Sequence, residues 1–226
     1  MRVVRLESPW LRLTLLPDLG GKLWELVPQA TGDNLLWHLP GGSPRQGVLG
    51  ESFEDAWTGG WDELFPNDAS AQMGARQLPD HGEWWTRGWN AEILGKDAVR
   101  LTTRFQTVPV TVEKTLRLRP QSPVLEMYYR IRNESEERFP FLWAQHPAFA
   151  VPPAHRIDLP GSVILPDRSQ PGPAREVPDR FRWPGPSGGP DLRLAPRSGI
   201  WLEGYYATEL QAGWCAVTNT ATGAGL

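Results

Sequence analysis

Val110-Thr-Val-Glu-Lys-Thr-Leu-Arg-Leu118 is followed, after a short connection, by Leu125-Glu-Met-Tyr-Tyr-Arg-Ile-Arg-Asn133, and these two runs decide the class of fold. In the first, the even positions carry Val110, Val112, Lys114, Leu116 and Leu118, while the odd positions are Thr, Glu and Arg. In the second, Leu125, Met127, Tyr129 and Ile131 share one face, and Glu126, Tyr128, Arg130 and Arg132 share the other. Successive side chains of a strand point to opposite faces, so a period of two predicts two half-buried β-strands. Pro120-Gln-Ser-Pro123 between them reads as a hairpin connection.

Outward from this pair, further strands are expected over 3–6, 10–16, 22–27, 34–38, 89–94, 99–105, 139–145, 162–165, 199–204 and 214–219. No segment shows an apolar stripe of helical period over three turns, and 23 Gly with 23 Pro in 226 residues leave little room for long helices. The expectation is an all-β fold, a single domain over 1–226. No repeat of propeller length is visible. Two stretches break the rhythm. Residues 50–87 are rich in Trp, Asp, Glu and Gly without alternation, and residues 166–197 are Pro-rich and read as a long surface loop.

Composition narrows the function. A formal charge of -3 provides no basic field for phosphates, which argues against nucleic acid as a partner. One cysteine, Cys215, excludes a disulfide framework and reads as a core residue of its strand. The N-terminal residues lack a signal-peptide apolar core, and no apolar run reaches membrane-spanning length, so a cytoplasmic protein without a membrane partner is expected. Two biases remain: 12 tryptophans, and only three lysines (Lys22, Lys96 and Lys114) among 23 basic residues.

Of four histidines, two stand in suggestive company. His146 ends the apolar run Phe-Pro-Phe-Leu-Trp-Ala-Gln-His, just before Pro147, where a sheet can present a side chain to a cleft; capping a buried strand is the alternative. His81 lies in Pro-Asp-His-Gly-Glu-Trp-Trp, where Gly82 admits a close backbone approach and Asp80 and Glu83 can orient the imidazole or bind hydroxyls. Trp57, Trp61, Trp84, Trp85 and Trp89 cluster around this region, together with Asp62 in Gly-Gly-Trp-Asp-Glu-Leu-Phe-Pro-Asn. Carboxylates beside flat aromatic faces suit a pyranose, with its apolar C–H face and polar rim. Filling the interior is the ordinary role for most of these tryptophans. No HExxH, HxH or Cys pair supports a metal, and no GxGxxG or Walker spacing supports a nucleotide cofactor.

Leu-Pro-Asp-Leu-Gly-Gly-Lys-Leu-Trp-Glu-Leu (16–26), Gly-Gly-Trp-Asp-Glu-Leu-Phe-Pro-Asn (59–67), Pro-Asp-His-Gly-Glu (79–83) and Trp-Ala-Gln-His-Pro-Ala-Phe (143–149), in this order, resemble the aldose 1-epimerase, or galactose mutarotase-like, family. The resemblance implies a large antiparallel β-sandwich with a sugar cleft on one face and no cofactor. It also implies that His146 protonates the sugar ring oxygen and that His81 binds the sugar and assists. Asp80, Glu83, Trp61, Trp85 and Asp62 are the expected substrate-binding residues. The family's early cleft arginine has no match, and its catalytic glutamate is expected on strands beyond Leu226, so the sandwich is expected to be truncated at its C-terminal strands. Two functions follow: an isomerase interconverting the α and β anomers of an aldose, or a non-catalytic carbohydrate-binding relative. If the chain does neither, a remnant stabilised by dimerisation is the better account, and its uncovered sheet edges predict a homodimer through the C-terminal edge.

Overall fold

The computed structural model describes residues 1–151, 154–168, 177–189, 191–194 and 204–226. The chain divides into two compact units, Met1–Ala150 and Val151–Leu226. The first unit contains β1 (Val4–Glu7), β2 (Leu11–Leu16), β3 (Lys22–Pro28), a short helix α1 (Phe53–Ala56), β4 (Trp61–Leu64), β5 (Ala71–Met73) and β6 (Arg76–Leu78). After a 3₁₀ turn at Trp84–Thr86 come β7 (Asn90–Ile93), β8 (Ala98–Arg104), β9 (Val110–Leu118), β10 (Leu125–Asn133) and β11 (Ala144–Pro147).

These strands form two main antiparallel sheets, in the orders β1-β2-β3-β4-β11 and β10-β9-β8-β7, with β5 and β6 as a separate hairpin. The β9–β10 hairpin has the register that the alternation predicts, Leu118 opposite Leu125 and Val110 opposite Asn133. On β9 every even residue is buried, Lys114 included. The apolar faces of the two sheets meet in one core. Leu13, Leu15 and Leu23 come from the first sheet, and Val99, Leu101, Val112, Leu116 and Leu118 from the second. This is a β-sandwich built by period-two patterning, each fully buried aliphatic side chain contributing about 1.5–3 kcal/mol.

Lys114 is the polar exception inside it. Its Nζ lies 2.5 Å from Glu63 Oε1 and donates to the Gly21 carbonyl at 3.3 Å, while the Tyr129 hydroxyl donates to the same Glu63 oxygen at 2.6 Å. Burial pushes the Glu63 carboxyl up, against the opposing pull of Lys114 and Tyr129. Burial and the neighbouring Glu63 charge also push the Tyr129 phenol up, so it stays a donor. The triad ties β4 of one sheet to β9 and β10 of the other.

The second unit contains β12 (His155–Asp158), β13 (Val163–Asp167), β14 (Phe181–Arg182), β15 (Gly204–Thr208) and β16 (Ala216–Asn219). β12 pairs antiparallel with β16, and β13 lies between β14 and β15. Ile164, Val177, Phe181 and Leu192 form a small core there. Among the described residues no helix is long and apolar enough to cross a membrane.

Several expectations change. Residues 34–38 form only isolated bridges, Leu36 to Phe149 and His38 to Gly59, and of 139–145 only the last two residues enter a strand, β11. Glycine and proline neighbours limit both pairings to short contacts. The expected loop over 166–197 falls partly outside the described residues. Within them, Phe181 pairs with Ile164 and is buried, so the segment supplies core as well as surface. The strand expected over 199–204 lies outside the described residues except for Gly204, where β15 starts. Cys215 is exposed, not a core residue, because β16 begins one residue later and Val217 is its buried position.

Candidate functional site

Strands β3, β4 and β11 lie side by side, and their register sets the site. Asp62 is directly opposite His146, and Leu23 is opposite Trp61, which brings Lys22 level with Asp62. Residues directly opposite in an antiparallel pair share a face. Lys22, Asp62 and His146 therefore form a row across one face of the sheet, while Leu23 and Glu63 face the sandwich core. Lys22 Nζ lies 3.0 Å from Asp62 Oδ2 and donates to the Gly59 carbonyl at 3.0 Å. Gly59 has φ +97°, and a Cβ there would stand 2.1 Å from the Trp37 carbonyl oxygen, so the turn that offers its carbonyl to Lys22 requires glycine.

The other half of the site comes from the irregular stretch between β4 and β7. Asp80 organises it: its Oδ2 accepts from the Phe53 N–H at 2.8 Å, its Oδ1 lies 2.9 Å from His81 Nδ1, and its carbonyl accepts from Trp85 Nε1 at 3.3 Å. Burial pushes the Asp80 carboxyl up, but the Phe53 amide and His81 outweigh it and hold the group below the usual carboxylate range. His81 takes φ +56°, and Gly82 follows at φ +70°, where a Cβ would meet the Phe65 carbonyl oxygen at 2.0 Å. This strained turn points the imidazole back at the sheet. His81 Nε2 is 3.8 Å from Asp68 Oδ1, too far for a hydrogen bond.

The two histidines meet edge to face, with ring centroids 5.9 Å apart. Phe53 stacks on His81 at 4.2 Å and presents its edge to His146 at 5.3 Å. Trp57 lies 5.7 Å from His146, and Trp85 packs edge-on against Phe53. Farther out, Trp37 lies 5.6 Å from Trp57, and Trp24 stacks on His38 at 3.6 Å. Among the described residues, His146 Nδ1 and Trp57 Nε1 are buried polar atoms without a hydrogen-bond partner. Burial pushes the His146 imidazole below its ordinary value. Asp62 and Asp68 pull it up, and His81 and Lys22 push it down further.

Of the residues expected from sequence, His146, His81, Asp80, Asp62 and Trp85 come together here. Trp61 does not: it alternates with Asp62 along β4, packs against the core and sets its edge on Phe149. Glu83 is fully buried, and its oxygens accept from the Gln106 and Thr107 N–H groups and the Thr107 hydroxyl, which holds a loop together. Trp84 and Trp89 belong to the sandwich core. Phe53, Lys22 and Asp68 join the site without having been singled out in the sequence. Phe53 gives no local signal, whereas the scarcity of lysine could have marked Lys22. Among the described residues no three His, Cys, Asp or Glu side chains converge as a metal-ligand set.

No protein-family model and no curated protein matches the sequence. Solved structures do match the architecture. A TPR-domain containing protein from Parabacteroides distasonis ATCC 8503 superposes with a TM-score of 0.68 at 17% identity, over 99% of this chain and 35% of that one. A galactose mutarotase related enzyme from Lactobacillus acidophilus gives 0.63 at 15% identity, over 96% and 72% of the two chains. A galactose mutarotase-like protein from Lactobacillus casei ATCC 334 gives 0.58 at 18% identity, over 80% and 67%. At such identities the likeness speaks for architecture alone: the chain has the antiparallel β-sandwich fold of the galactose mutarotase-like proteins.

Proposed function

We propose that the protein acts on carbohydrate, interconverting the α and β anomers of an aldose at the His81–His146 pair. The observation that carries this reading is two imidazoles 5.9 Å apart inside an aromatic enclosure, one backed by Asp80 and the other standing beside Asp62. The Trp57 indole packs against His146, and its buried N–H has no hydrogen-bond partner among the described residues, which suits a pyranose hydroxyl as acceptor. Protonated His146 gives its proton to the ring oxygen. His81, with its Nδ1–H donated to Asp80, takes the proton of the anomeric hydroxyl at Nε2. The C1–ring oxygen bond then breaks to give the open-chain aldehyde, C1 rotates about the C1–C2 bond, and the reverse transfers close the other anomer. Positioned acid and base groups contribute typically 10²–10⁴-fold, and no cofactor is called for. In this reading His81 holds the base role that the family resemblance assigns to a C-terminal glutamate.

A second reading, a binder without catalysis, is favoured by Phe53. It is almost wholly buried and covers one face of His81. NMR exchange between the anomers of glucose and of galactose, at micromolar protein, separates the two. Acceleration over buffer supports the epimerase. Tryptophan quenching by sugar without acceleration supports the binder. The absence of both responses overturns a carbohydrate role.

A further inference from the structure

Lys22 and Asp62 are both buried, opposite in charge, and carried on the strands next to His146. A buried pair of this kind is neutral to unfavourable for stability when compared with apolar residues of equal volume, so stability alone does not account for it. The neighbouring residue of β4, Glu63, has its own lysine on the opposite face, and that pair already ties the two sheets together. The Lys22–Asp62 pair instead lies in line with the imidazole: carboxylate on the adjacent strand, ammonium one strand farther.

We propose that Asp62 and Lys22 are positioning residues for His146, an ion pair fixed by strand register that governs when the imidazole carries its proton. Asp62, the near member, favours the imidazolium. Lys22, 3.0 Å from Asp62 Oδ2, offsets part of its effect. The other charged groups facing His146 are His81 and Asp68, both from the stretch between β4 and β7. His146 Nδ1 has no hydrogen-bond partner among the described residues, so the field of the row acts on the ring without a competing fixed bond. The consequence is a pair of opposite effects. Loss of the carboxylate weakens proton binding at His146, and loss of the ammonium, with a hydrogen-bonding side chain left in place, strengthens it.

The test is histidine C2–H NMR titration of the full chain, with the His146 resonance assigned by its disappearance in His146→Gln. Asp62→Asn is expected to move the His146 midpoint to lower pH. Lys22→Gln, which retains an amide donor for Asp62 and Gly59, moves it to higher pH. Lys22→Arg restores the original position. Shifts in the same direction for both variants, or no shift in either, overturn the proposal. Should Asp62→Asn fail to fold, the Lys22→Gln and Lys22→Arg comparison decides by itself, an unmoved midpoint in Lys22→Gln being the overturning result. The role in catalysis rests on the anomer-exchange reading, but the titration does not. Midpoints that move as expected in a protein without anomer exchange uphold the positioning role and reject the epimerase.

Discussion

Asp62 and Glu63 are consecutive residues of one strand, both buried and both facing a lysine, yet they serve different regions of the molecule. Glu63 looks into the sandwich, where its Oε1 meets both Lys114 and Tyr129 and Lys114 also donates to the Gly21 carbonyl, a polar island within aliphatic side chains. Asp62 looks to the opposite face, toward a histidine with an unpartnered nitrogen and a tryptophan with an unpartnered N–H. The difference teaches what to seek in an uncharacterised site. A buried carboxylate paired with a lysine across a core ties two sheets together, whereas one set beside an imidazole on the opposite face is placed to act on that ring's proton.

The comparison can be broken most forcefully at its structural end. Lys114→Met leaves Glu63 buried without its counter-charge and is expected to cost about 3–5 kcal/mol in urea unfolding followed by circular dichroism. Adding Glu63→Gln should recover part of that loss; a cost below about 1 kcal/mol for the single variant would remove the distinction between the two carboxylates.

At the other end, His146→Gln is expected to lower the rate of anomer exchange by about a hundredfold or more while moving the urea midpoint far less than Lys114→Met does. A variant that keeps full activity excludes His146 as the proton donor. Asp80→Asn is expected to have a smaller effect, about tenfold in kcat, because an amide still accepts from the Phe53 N–H but no longer holds His81 in one tautomer. If KM alone changes, Asp80 serves binding and not the orientation of His81.

The smallest effect concerns pH. The His146 imidazole is held below its ordinary value of 6.5, chiefly by burial, so the unfolded chain binds a proton before the folded one as the solution is acidified. The folded state therefore loses stability as pH falls from 6.5 toward the depressed native value, and regains it above 6.5. Urea midpoints on either side of that pH should show this slope, and His146→Gln should reduce it; an unchanged slope in the variant assigns the effect to other groups.

The lysines show how much of the site could be read in advance. Of three in the chain, Lys22 and Lys114 are buried against carboxylates. Their rarity is visible in the sequence, but their partners are not, because Lys114 meets Glu63 across the sandwich and Lys22 meets Asp62 across a strand pair. The two histidines and Asp80 stand out through local motifs, since proline and glycine neighbours mark strand ends and tight turns. Trp61 and Glu83 were misleading for the same local reason. Trp61 adjoins Asp62 in sequence and Glu83 lies two residues from His81, but strand alternation turns Trp61 to the other face, and Glu83 is claimed by the amides of Gln106 and Thr107.

By itself the sequence determined the class of this protein. Period-two alternation over β9 and β10 dictates which side chains are buried, because a strand has only two faces and water selects between them. Whether a given carboxylate became part of the core or part of a site was decided only by the tertiary structure. Register across three strands set Lys22, Asp62 and His146 in a row, and a left-handed turn at His81 and Gly82 brought the second imidazole to the first. Pairings between residues distant in the chain follow from how the sheets pack, which no local pattern encodes.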